Sequence, residues 1–136
     1  MPAHHHDTPD LTKNQSLVYD TLSAAEGPLS AYTILDHLRE EGFRAPLQVY
    51  RALERLQALG LVHRLESLNA FVACSHPSCE EDGTVAFAIC ETCGKVFEFT
   101  DAELKSRLGT WAKQTGFRPH KTTIEMRGLC AGCKAS

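Results

Sequence analysis

The chain has 136 residues, 43% of them apolar and 23% charged, with a formal net charge of −3. That is room for one ordinary domain, or for two small ones that lean on a metal or a partner chain. It supplies no bulk positive charge for nonspecific nucleic-acid binding, and no run approaches the roughly 20 apolar residues of a bilayer span.

The opening "MPAHHHDTPD" has neither the apolar core nor the cleavage pattern of a leader. A cytoplasmic protein without membrane association is expected, and in that reducing compartment its six cysteines read as metal ligands rather than disulfides. Residues 1–9, with His4, His5 and His6, read as a disordered tail.

Thr12 followed by Gln15 reads as a capping box that opens a first helix, with Leu17, Val18, Leu22 and Ala25 on its apolar side and Gly27-Pro28 as its end. Ser30 caps a second helix with Ile34, Leu35 and Leu38 inward, stopped by Gly42. Pro46 suits the first position of a third helix, where no amide donor is lost. That helix buries Val49, Leu53, Leu56 and Leu59 and stops at Gly60. The period then changes to two: "LVHRLE" and "NAFVAC" read as a hairpin around Ser67-Leu68-Asn69. Three helices and a hairpin predict a winged helix-turn-helix over residues 1–74, with the third helix entering the major groove and the hairpin as its wing.

"SHPSCEEDGT", residues 75–84, is polar and reads as a hinge or linker. Residues 85–136 then read as a small α/β unit. Val85, Phe87 and Ile89 share one face of a strand, Val96 to Phe99 form another, Thr100 with Glu103 opens a helix that runs to Gly116, and "KTTIEMRG" is the last strand. The fold class is therefore α+β.

Two Cys-x-x-Cys pairs, Cys90/Cys93 and Cys130/Cys133, carry the strongest signal. Four thiolates in two knuckles make a closed tetrahedral zinc site with no open position for chemistry. Neither pair is expected at a helix N-terminus, where a redox Cys-x-x-Cys would stand. No His-x-Glu precedes Cys90, as a zinc deaminase requires, so no enzyme and no small-molecule substrate are expected.

A second constellation is looser. Alone, His63 reads as a core histidine, Cys74 as a small buried hydrophobe and Glu98 as a solvated strand residue. Together with His76 and Cys79 they supply enough ligands for a second metal joining wing, linker and following unit.

For DNA, the first 74 residues hold six Lys/Arg against nine Asp/Glu, a poor balance for holding phosphates. The third helix is locally better. Arg44, Arg51 and Arg55 face away from its apolar stripe, beside Gln48 and Tyr50. Tyr50 offers a ring for a thymine methyl, and Arg51 or Arg55 suits guanine or phosphate. Lys13, and Arg64 on the wing, complete the expected contacts.

"VYRAL" before a wing, then Cys-x-x-Cys-Gly and "GLCAGC", resembles the Fur superfamily of metal-responsive repressors. "LSAYTILDHL", "LVHRLESLNAFVAC" and "IEMRGLCAGC" most resemble its zinc-uptake-regulator (Zur) branch. The resemblance runs from about Leu11 to Cys133. It implies a homodimer that binds double-stranded operator DNA through winged helices and pairs through the C-terminal unit, controlling zinc-uptake genes.

The resemblance also implies two zincs per chain. One is structural, at Cys90, Cys93, Cys130 and Cys133. The other is regulatory, at the hinge, with His63, Cys74 and Glu98 matching three of its ligands. The branch's linker histidine has no direct counterpart, since Gly83 lies near that spacing. Cys79 is preferred as the fourth ligand for its thiolate, with His76 as the alternative. Gln48 stands where the family often has threonine. His120 stands where many relatives place another ligand, but the His/Asp cluster that accompanies it is missing. The alternatives are a family member sensing iron, nickel or manganese, and a constitutive winged-helix binder with structural zinc alone. Mixed sulfur, nitrogen and oxygen donors favour zinc over manganese.

Overall fold

The computed structural model describes residues 10–74 and 84–134. The chain divides into two compact units, Met1–Cys74 and Ser75–Ser136.

In the first unit, α1 (Lys13–Ala24), α2 (Ala31–His37) and α3 (Pro46–Ala58) precede β1 (Val62–Leu65) and β2 (Ala70–Ala73). The capping box at α1 is formed on both sides: Gln15 N donates to Thr12 Oγ1 at 3.2 Å, and Thr12 N donates to Gln15 Oε1 at 3.0 Å. Ser30 Oγ accepts from Thr33 N at 3.1 Å at the start of α2. After α2 the chain tightens into a 3-10 turn at Arg39–Glu41, and Gly42 closes it at φ 104°, a conformation that costs glycine little.

The apolar positions at helical spacing meet in one core. Val18, Ile34, Leu35, Phe43, Val49, Leu53, Leu56 and Val62 are almost wholly shielded from solvent. Each such side chain contributes roughly 1.5–3 kcal/mol by leaving water, which is what fixes α3 against α1 and α2. The wing is antiparallel, with His63 opposite Val72 and Arg64 opposite Phe71. A bridge between Leu29 and Phe71 (N–H to O distances of 3.0 and 2.8 Å) anchors it to the α1–α2 connection. Asn69 takes φ 49° at the tip, a left-handed turn that asparagine tolerates.

The second unit is a three-stranded sheet in the order β4-β3-β5, with β3 (Thr84–Cys90) central. β4 (Val96–Phe99) runs antiparallel to β3, and β5 (Thr122–Gly128) runs parallel to it. The long α4 (Ala102–Thr115) supplies the crossover that a parallel pairing needs. A single helical turn, α5 (Ala131–Lys134), follows β5.

Two sequence expectations are corrected in this unit. The cap of α4 is Asp101, not Thr100: its Oδ1 accepts from Glu103 N and Leu104 N at 2.9 and 3.0 Å. A carboxylate one residue later meets two orphan amides, where a hydroxyl paired with Glu103 would meet one. β3 also begins at Thr84, the last residue of the expected linker.

Val85, Ala86, Phe87, Ile89, Cys90 and Ala112 are the buried apolar residues among those described in this unit, a much smaller set than the first unit's core. No helix among the described residues is long and apolar enough to cross a membrane.

Candidate metal centres and nucleic-acid interface

The four cysteines of the two pairs converge, with all their Sγ atoms within 4.8 Å of one another. The topology explains how residues 40 apart in sequence meet. β3 and β5 run parallel, with Cys90 in register with Gly128, so each strand delivers a cysteine pair at the same end of the sheet. Cys90 is the last residue of β3, and a tight turn returns Cys93 beside it: Gly94 N donates to Cys90 O at 3.0 Å.

Cys130 opens α5 and Cys133 sits within it. The expectation that neither pair lies at a helix N-terminus is thereby corrected for the second pair. The turn is one a sequence of four residues does not announce. Its pair is not isolated, as a redox dithiol would be, because the other two sulfurs are part of the same cluster.

The electrostatics of the cluster suit a cation. Cys90 Sγ accepts from Cys93 N at 3.5 Å and from Cys130 N at 3.4 Å. The N–H groups of Cys93 and then Cys130 hold the Cys90 thiol down, from 9.0 to about 5. Cys130 is also lowered, chiefly by the Cys133 N–H. Cys133 is pushed up to about 12, first by its contact with the Cys90 sulfur and then by that with Cys130. Backbone dipoles therefore favour the first thiolates, and the last thiol is held protonated by its anionic neighbours. A dication removes that conflict.

Size agrees as well. Tetrahedral zinc with Zn–S near 2.3 Å requires sulfurs about 3.8 Å apart, and Cys93 Sγ and Cys130 Sγ lie at 3.7 Å. The donor set and its spacing fit zinc.

The wing presents a second group of ligands. His63, on β1, is 4% exposed, the buried polar side chain among the described residues. Cys74 N donates to Leu61 O at 2.8 Å, which continues the wing pairing one step past β2. His63 faces Val72 across the ladder, so Cys74 lies diagonally opposite it on the same face. A ligand atom of each lies within 4.8 Å of the other. Cys74 is disulfide-bonded in this structure, which corrects for this residue the expectation that the cysteines are not in disulfides; its sulfur becomes a metal ligand only when reduced. In the second unit, Glu98 stands on β4 opposite Phe87 and is half-buried. His76 and Cys79, like the tail with His4 to His6, lie outside the described residues. His120 is exposed after α4, and no group of metal-binding residues forms around it among the described residues.

On α3, Arg51, Arg55 and Tyr50 are exposed, opposite the buried Val49, Ala52, Leu53 and Leu56. Arg44 precedes the helix and Lys13 opens α1, both exposed. Arg64 points out from the wing, and its Nη2 donates to Asn69 Oδ1 at 3.0 Å, with Glu66 at 3.7 Å from Nη1. Sequence reading missed that tether, although an asparagine at the wing tip was its cue.

It also missed a second use of Gln48. Ala45 occupies the N-cap of α3 without a side-chain acceptor. Gln48 Oε1 accepts instead from Arg44 N at 2.6 Å and Ala45 N at 3.0 Å. An alanine cap followed three residues later by glutamine was the available signal.

Three helices closed by a two-stranded wing, and a small α/β unit holding four clustered thiols, define a winged-helix protein with a four-cysteine candidate metal centre. The ferric uptake regulator family model matches residues 10–127, and the chain belongs to that family.

The zinc uptake regulation protein of Escherichia coli (strain K12) is 40% identical over 124 residues, covering 90% of this chain and 72% of that protein. The crystal structure of holo XcZur matches with a TM-score of 0.82 at 44% identity, covering 93% of this chain and 87% of that one. The structure of a zinc uptake regulator complexed with zinc and DNA matches with a TM-score of 0.85 at 36% identity, covering 97% and 88%.

Proposed function

We propose that this chain is a zinc-responsive transcriptional repressor of the cytoplasm that binds operator DNA as a homodimer and controls zinc-uptake genes. The observation that carries the reading is the wing pair: a buried histidine and a cysteine with ligand atoms within 4.8 Å, in a chain similar to a regulator complexed with zinc and DNA.

Cys90, Cys93, Cys130 and Cys133 hold a structural zinc that compensates for the second unit's small core. His63, Cys74 and Glu98 hold a regulatory zinc, with Cys79, or else His76, as the fourth ligand. When bound, that ion supplies a positive charge shared by side chains from the wing and from the following unit.

The chain's own residues supply the rest. Arg51, Arg55 and Tyr50 read DNA from α3, with Gln48 at its start, while Lys13, Arg44 and Arg64 hold phosphates. A reading head with more acidic than basic residues depends on two half-sites being engaged at once, and the wing's orientation decides whether both fit. Zinc shifts DNA affinity only as far as the DNA-competent arrangement holds it better.

Self-association is favoured by the second unit's surface. Phe97, Leu108, Trp111, Phe117, Met126 and Leu129 are 39–58% exposed, and β5 is an edge strand. Such surface is costly to leave in water.

Gel shifts with and without chelator test the reading. Cys74→Ser is expected to remain dimeric by sedimentation, to lose one zinc per chain and to lose zinc-dependent DNA binding. Binding equal to the wild type's overturns it.

A further inference from the structure

We infer that Gln48 meets DNA as a hydrogen-bond donor only, and so reads a purine without distinguishing adenine from guanine. The inference rests on the reading above, that α3 enters the major groove, and deepens it.

A glutamine in the groove ordinarily specifies adenine by bidentate pairing. Its Oε1 accepts from N6 and its Nε2 donates to N7. That requires both ends of the amide to be available. Here the carbonyl end is already engaged, since Oε1 accepts from the backbone N–H groups of Arg44 at 2.6 Å and Ala45 at 3.0 Å.

The orientation of the amide is fixed by these partners, because two backbone donors face one atom and only an oxygen can accept from them. Turning Oε1 toward a base would strip both amides at the start of a helix whose N-cap is alanine, with no side-chain acceptor of its own. The cap therefore holds the carbonyl inward and leaves Nε2 as the reading atom. Nε2 has two hydrogens and no acceptor capacity.

In the major groove, adenine and guanine share one acceptor at the same place, N7. A lone donor aimed there accepts either purine. The same side chain thus does two jobs. It caps α3, which places Arg44 and the first turn, and it contributes a purine-tolerant contact.

The test uses the full-length, zinc-loaded protein and a pool of random-sequence duplexes. Wild type and Gln48→Ala are each taken through rounds of selection. Affinities are then measured on the wild-type consensus with 7-deazapurines placed one at a time. A third variant, Gln48→Glu, keeps an oxygen for the two backbone amides and lacks the donor.

The expected wild-type consensus has a position filled by adenine or guanine, where a 7-deaza base weakens binding about fivefold to tenfold. Both variants are expected to lose that sensitivity and no other. Gln48→Glu is expected to melt at or above the wild-type temperature, which separates loss of the donor from loss of the cap. A strict adenine in the wild-type consensus that relaxes in Gln48→Ala overturns the inference, as does deaza sensitivity unchanged in both variants. If the wild type enriches no sequence at all, the DNA-binding reading itself falls, and this inference falls with it.

Discussion

Replacing Cys90 with serine is expected to unfold the second unit and leave the first standing. Cys90 is 3% exposed, ends the central strand, and receives N–H groups from Cys93 and Cys130. Its loss removes one of the four proposed zinc ligands together with the acceptor that ties the two knuckles. The apolar contribution in this unit is small. Val85, Phe87 and Ile89 are its large buried side chains among the described residues, and at roughly 1.5–3 kcal/mol each they contribute about 5–9 kcal/mol. Structural zinc contributes an apparent 10–16 kcal/mol in small domains, so losing it outweighs all three.

The molecule carries a probe for each unit. Its one tryptophan, Trp111, lies on α4 with its ring centroid 5.7 Å from that of Phe117. Its longer run of helix, α1 to α3, is in the first unit. Urea unfolding followed by tryptophan emission reports the second unit, and far-UV circular dichroism is weighted toward the first. With m near 1 kcal/mol/M for so small a unit, even a 3 kcal/mol loss moves the midpoint by about 3 M. The emission transition should therefore move to very low urea, or lose its folded baseline, in Cys90→Ser or after strong chelation. Most of the dichroism transition should stay in place. Coincident emission curves with and without zinc would refute the claim that metal, rather than core, holds this unit.

Proton release gives an independent check on the cysteine centre. With Cys90 near 5 and Cys133 near 12, zinc taken up at pH 7 must displace the proton of Cys133 but finds none on Cys90. Calorimetry in buffers of different ionisation heat should count fewer than four protons per zinc at this centre. The sign follows: affinity falls with falling pH, and the slope of its logarithm steepens by one below about pH 5, as Cys90 takes up its own proton. Four protons at pH 7 would contradict the lowered thiol. Leu53→Ala, in the wholly buried stripe of α3, should cost the first unit about 2–5 kcal/mol, read as a lower dichroism midpoint with zinc at the cysteine centre unchanged. A shift of under about 1 kcal/mol would mean that the stripe is not the core.

Most of the local structure was legible because it is written in short-range chemistry. Thr12 with Gln15, Ser30, and Pro46 at a first helical position announced three helix starts. The change of period after Gly60 announced the wing, and the two Cys-x-x-Cys pairs announced a four-sulfur centre. The error at Thr100 was of the same local kind, since two neighbouring residues competed for one cap and the better acceptor won. The single turn at Cys130 had too few residues to show a period.

What sequence by itself determined, then, was most of the elements whose stabilising partners lie within a turn or two along the chain, and which residues are available as metal ligands. Tertiary structure alone decided that Cys90 and Cys130 meet, because the parallel register of β3 and β5 relates residues far apart in sequence. It alone set the burial of His63 on the wing. Those outcomes depend on which group comes within about 3 Å of another once the strands and helices are packed, and no spacing along a single chain encodes that distance.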